Sequence, residues 1–187
     1  MSHDPALEAH EHSEHAQHAA HEADPFTSRV AITVAFLAVL AAAATSMETV
    51  EGGLAITASS EAVLAQDKAT DAWNEYQADS LKKHIYGIAA DAGGARAADY
   101  RRTAKEQSEK QAEIRKRATE NEAESRRLSA QSADHERRHH WLTGAATLVE
   151  IGIALSTIAI ITKRRPFWLG AVGLGIGGLI LGAIAFV

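Results

Sequence analysis

One carboxylate stands where a carboxylate is expensive. Glu150 interrupts an otherwise uncharged run over 141–162. It lies nine residues past Trp141, roughly 13 Å along a helix that rises ~1.5 Å per residue. A charge at that depth in a bilayer must face protein or water, or be protonated. Two chemistries follow. Glu150 either handles protons or ions, or serves as a carboxyl hydrogen-bonded between helices that fixes their register or number. Partners within reach by depth are Thr147, Ser156 and Thr157 on the same helix and Thr33 on an earlier one. No Asp, Lys, Arg or His joins it within any apolar run, which argues against a relay.

Histidine supplies the other candidate chemistry. Six of the ten histidines fall in the first 21 residues. His12, His15, His18 and His21 recur every third residue, with Glu11 and Glu14 nearby. On a helix, neighbours in this series would share a Zn, Ni or Cu ion. A tail that must first be ordered binds metal weakly, so at most a weak site is expected and no cofactor. The plainer reading is a solvated, pH-responsive tail. Farther on, His135, Glu136, Arg137, Arg138 and His139 spell the zincin string His-Glu-x-x-His, with Asp134 and His140 beside it. Two arginines repel a cation, and no third ligand or pocket is visible, so peptidase chemistry is not expected. No catalytic residue is predicted, and the chain is read as a non-enzyme.

The elements that must position these groups follow from charge placement. The chain is 187 residues long, with net charge −5 and no cysteine. Disulfides, thiolate nucleophiles and Cys-zinc sites are therefore excluded, and no nucleic-acid partner is expected. Nearly all charge lies before residue 30 or within 48–140. Residues 1–29 read as a disordered His/Glu-rich tail. The uncharged run 30–47 would span roughly 27 Å, close to the ~30 Å of a hydrocarbon core. It is read as the first transmembrane helix. A cleaved signal peptide at Ala41, Ala42, Ala43 and Ala44 is the rival reading. The long acidic stretch before the run opposes it. Residues 141–162 form the second span, 163–166 a basic turn and 167–187 the third.

Between the first two spans, 48–140 reads as an extramembrane helical segment. Gly52 and Gly53 suggest a hinge or the end of the first helix. Trp73, Gln77, Leu81, His84 and Ile88 fall on one helical stripe, widened by Ala62, Ala65, Ala69, Ala72 and Tyr76. Gly93 and Gly94 are the predicted turn. Beyond them a seven-residue repeat can be written. One seam holds Ala97, Ala104, Gln111, Ala118, Ser125 and Ser132; the other holds Tyr100, Gln107, Ile114, Asn121, Leu128 and His135. A loose antiparallel hairpin is expected, packed through Trp73, Tyr76, Leu81, Ile85, Tyr86, Tyr100, Ile114 and Leu128. The alternative is a long solvated helix held by pairs such as Glu113 with Arg117 and Glu122 with Arg126. The fold class is thus an all-α membrane protein: three transmembrane helices with a long, charged, coiled-coil-like hairpin between the first and second.

The third span carries a smooth face of Ala171, Gly175, Gly178, Gly182 and Ala185, and Gly173 with Gly177 adds a small-xxx-small pair. Such faces let helices approach closely in lipid, within one chain or between copies. Lys163, Arg164 and Arg165 favour a cytoplasmic second turn. That puts the N-terminus in the cytoplasm and the charged segment in the periplasm of a bacterial inner membrane. Arg137 and Arg138 argue for the opposite orientation, but long loops translocate largely regardless of charge.

The layout, and above all Ala69, Thr70, Asp71, Trp73, Tyr76, Gln77, Ser80 and Tyr86 in ATDAWNEYQADSLKKHIY, resembles a bacterial family known as domain of unknown function 4337. The resemblance implies an architecture and no catalytic residues. The expected role is a homo-oligomeric scaffold or adaptor, with the bilayer, further copies and an unidentified protein as partners. The alternatives are a stator-like, ion-coupled component using Glu150 and a metal-responsive protein acting through the tail.

Overall fold

A computed structural model describes residues 24–187, which are all-helical apart from short turns. Three helices follow one another: α1 (Pro25–Asp91), α2 (Ala97–Thr162) and α3 (Arg165–Ile184). The start of α1 has a local cause. The Phe26 amide donates to Asp24 Oδ1 at 3.2 Å, and Pro25 needs no donor of its own at the first position. The helix then runs through Gly52 and Gly53 without a hinge. Two glycines cost a helix only about 1 kcal/mol each, and contacts with α2 on both sides of them, Glu51 with His135 and Ala55 with Ser132, hold the segment in place. The expected break there does not occur.

The chain turns at 92–96 instead. Gly93 and Gly94 take φ of +80° and +99°, a region closed to most side chains. The second break lies between Thr162 and Arg165. There Lys163 adopts φ +52°, and Pro166 falls in the first turn of α3.

The residues divide into two compact units, one ending at Thr49 and resuming at Arg138, the other Val50–Arg137. In the second unit the two helical segments run antiparallel. Glu51 meets His135, Ala55 meets Ser132, Ala62 meets Ser125, Trp73 meets Glu122 and Tyr86 meets Tyr100. Both contribute a seam of period seven. On α2 the residues are those of the two predicted series, every one buried or half-buried. On α1 they are Ala58, Ala65 and Ala72 in one series and Ala55, Ala62 and Ala69 in the other. Alanine brings the backbones close enough for hydroxyls to cross. Ser125 Oγ donates to the Ala62 carbonyl and Ser132 Oγ to the Ala55 carbonyl, each at 2.9 Å.

This inner face differs from the expected stripe. Trp73, Tyr76, Tyr86 and Tyr100 are half-buried, and Ile114 and Leu128 are buried. Gln77, Leu81, His84, Ile85 and Ile88 lie on the exposed side. The smaller residues occupy the interior because the seam is set by how close the backbones come, and a row of leucines would hold them apart. The ion pairs differ too. Arg126 reaches Glu122 at 3.6 Å, but Arg117 pairs with Glu75 of α1 and not with Glu113, the expected partner.

In the first unit, each helix has a stretch long and apolar enough to cross a membrane. The inner face of α2 there is Leu142, Ala145, Val149, Gly152, Ser156 and Ala159, all buried. Their spacings alternate three and four, so the face is a straight stripe.

Candidate functional site

The tightest packing surrounds the glycines of α3. A Cβ on Gly178 would sit 2.6 Å from Val149 Cγ2 and 2.9 Å from the Ala145 carbonyl oxygen of α2. On Gly175 it would meet Leu37 Cδ2 of α1 at 2.5 Å. Gly152 of α2 faces the Ala171 carbonyl, with 3.1 Å for an added carbon. Ala171 and Ala185 are buried, and Gly182 faces Ala145 at 3.9 Å. The smooth face therefore serves contacts within the unit. Gly173 departs from the expected pattern. It is exposed, with nothing within 4 Å of an added Cβ, because its direction lies off the stripe that faces α1 and α2. Gly177 would make only an ordinary contact, 3.6 Å to Leu148 Cδ1.

Glu150 points away from this packing. It is exposed on the outer face of α2 and has no hydrogen bond or ion pair among the described residues. None of the partners expected by depth reaches it. Thr147 Oγ1 donates to the Thr143 carbonyl at 2.8 Å, and Thr157 Oγ1 to the Ile153 carbonyl at 3.2 Å. Thr33 Oγ1 accepts from Trp168 Nε1 at 3.0 Å, beneath an edge-on contact of Trp168 with Phe26. Ser156 is fully buried on the opposite face, its hydroxyl without a partner. An interhelical hydrogen bond of Glu150 within one chain is thus not present. Depth along the helix sets its height in the span but not its azimuth, which depends on where the glycines of α3 pack.

The histidines of the His-Glu-x-x-His string are each engaged with α1. His135 Nδ1 lies 2.6 Å from Glu51 Oε2, both side chains largely buried. His139 Nδ1 donates to the Glu48 carbonyl at 3.1 Å, which places the ring proton on Nδ1. Thr143 Oγ1 reaches Glu48 Oε1 at 2.6 Å. Sequence reasoning does not single out either glutamate, because they lie 84 and 91 positions from their histidines and carry no motif of their own. Among the described residues, no group of three His, Asp or Glu side chains is placed to hold a metal ion. His12, His15, His18 and His21 lie outside the described residues.

Cavities offer little further chemistry. The first unit has an apolar notch of about 320 Å³ lined by Leu40, Leu142, Val149, Gly178 and Phe186, with no charged or hydroxyl side chain in its lining. The charged groove of the second unit, between Lys68, Asp71, Glu75 and Arg117, is held by the Glu75–Arg117 pair. Glu124 is held below the ordinary carboxylate range by a hydrogen bond from Arg127, whose own guanidinium is raised in turn.

Together these features define an all-helical protein whose three helices can each cross a membrane by length and composition. The model of the family described as a domain of unknown function, DUF4337, matches residues 26–187. The chain belongs to that family. Comparison with curated proteins and with solved structures finds no match.

Proposed function

We propose that this chain is a non-catalytic integral membrane protein, an oligomeric scaffold or adaptor. Three spans lodge it in the bacterial inner membrane, and the helical segment between the first and second, a coiled-coil-like hairpin, meets partners. The basic turn at Lys163, Arg164 and Arg165 favours a cytoplasmic N-terminus and a periplasmic helical segment.

One observation carries this reading. On α1 of the charged segment the alanines face inward and the larger aliphatic residues face out. Leu81, Ile85 and Ile88 are 63%, 55% and 72% exposed, and their spacings of four and three put them on one stripe. A contiguous apolar stripe on an otherwise charged surface marks an interaction site. The double variant Leu81→Lys with Ile88→Lys tests it. Crosslinking in native membranes is expected to lose the higher-mass species that the wild type forms through this segment, with helical content unchanged. A strictly monomeric wild type, with no partner crosslinked, rejects the scaffold.

A second reading is ion-coupled transport through Glu150, favoured by the threonines that share its face. It requires Glu150→Gln to abolish a proton-dependent activity while leaving assembly intact.

A further inference from the structure

The outer face of α2 in the first unit has an unusual composition for a surface meant for lipid. Thr143, Thr147, Glu150, Ala154 and Thr157 recur at spacings of four, three, four and three, and all are exposed. Thr143, at the head of this second period-seven stripe, turns to Glu48 of α1; from Thr147 onward the stripe faces away from the one that packs on α1 and α3. Leu, Ile and Val would suit hydrocarbon there. A carboxyl with a hydroxyl above and another below it along the helix does not, unless something polar covers them.

The hydroxyls narrow what that cover can be. Thr147 and Thr157 each spend their one proton on the carbonyl of the preceding turn. Their oxygens are left with acceptor lone pairs. A carboxyl can supply both a donor and an acceptor, so this stripe is complementary to itself. Copies of one chain share a single orientation in the membrane, and a two-fold axis along the membrane normal brings each residue to the same depth as its counterpart. Glu150 then lies opposite Glu150 of a second copy, between the two levels of threonine oxygens. Ala154 lets the backbones come close at that point.

We propose that the face formed by Thr147, Glu150, Ala154 and Thr157 is the surface on which two copies of this chain associate within the membrane, their Glu150 carboxyls hydrogen-bonded across the pair. This rests on the reading of the chain as an oligomeric membrane protein and names its contact within the membrane, apart from the stripe of Leu81, Ile85 and Ile88.

The chain has no cysteine, so single cysteines report proximity in the full-length protein. Thr147→Cys, Ala154→Cys and Thr157→Cys are expected to form disulfide-linked dimers on mild oxidation of native membranes. Val39→Cys on α1 and Ile180→Cys on α3, both on exposed faces, are expected to stay monomeric. In the Ala154→Cys background, Glu150→Gln keeps the dimer, since an amide also donates and accepts. Glu150→Val, which suits lipid better than the native residue, lowers association about threefold to thirtyfold. Dimers at Val39→Cys or Ile180→Cys alone would overturn this surface and leave the oligomeric scaffold standing. No dimer at any position, with a monomeric wild type, would remove both. A Glu150→Val protein that pairs as well as the wild type would refute the role of the carboxyl.

Discussion

The two units solve the same packing problem with different residues. In the charged segment, helices approach on alanine: Ala58, Ala62, Ala65, Ala69 and Ala72 of α1 against Ala118, Ser125 and Leu128 of α2. In the apolar unit they approach on glycine: Gly175 against Leu37, Gly178 against Val149 and Gly152 against the Ala171 carbonyl. In water a methyl group removed from solvent contributes about 0.8 kcal/mol, so alanine adds stability as well as closeness. Among apolar surroundings that gain vanishes, since lipid tails are as apolar as the helix. Backbone proximity and van der Waals contact remain, and glycine serves those best. The seam residue thus reports the solvent to which each pair of helices is suited.

The largest expected effect breaks the glycine side. Gly178→Leu must push α2 from α3, because the contact to the Ala145 carbonyl is backbone and cannot yield as a side-chain tip can. A loss of about 3 kcal/mol or more is expected, read as thermal unfolding followed by helical signal in detergent. Gly173→Ala is the control. With open space around it, that change should be neutral, or stabilising by up to about 1 kcal/mol through helix propensity. Equal losses at the two positions would show that glycine is chosen for something other than closeness.

The next effect sharpens the alanine side. Ile114 is the largest buried side chain of its cluster, packed on Ala72 and Ala118 with Trp73 and Tyr76 alongside. Ile114→Ala should cost about 2–3 kcal/mol, the range of a truncation that leaves a cavity. Leu81→Ala, at an exposed site, should leave the melting temperature nearly unchanged. A larger loss at Leu81 than at Ile114 would invert the assignment of inner and outer faces.

Much of this architecture is legible in the residue pattern alone. The three apolar runs announce themselves by length. On α2 the seven-residue spacing picks out the buried line, because a repeat of that period holds one face toward a neighbour over many turns. On α1 the same spacing is present in the alanines, but residue size competes with it as a sign of burial. Size points to Leu81, Ile85 and Ile88 and relegates the alanines to a fringe. It misleads wherever closeness sets the seam. Glu150 shows a different limit. Its depth is a count along one helix, whereas its direction is a property of three helices packed together. Glu48 and Glu51 lie beyond reach for a third reason: their histidine contacts join positions far apart in sequence, which no local pattern encodes.

The smallest expected effect lies on the surface of the charged segment. Glu124 and Arg127 are one turn apart on α2 and hydrogen-bonded, yet both are exposed to solvent. The folded-state pKa of Glu124 is lowered, chiefly by the hydrogen bond from Arg127. Its contribution is therefore present above the ordinary carboxylate range and lost as pH falls through the lowered value. Arg127 is raised by the same bond and stays charged across this range, so the pH dependence of the pair follows Glu124 alone. Solvent screening leaves such pairs almost without weight. Arg127→Ala should melt with the wild type at neutral pH within the precision of the scan, and any residual gap should close on acidification. A gap as large as that of Ile114→Ala, or one that widens with acid, would mean that charge on the outer face, and not the alanine seam, holds the two arms together.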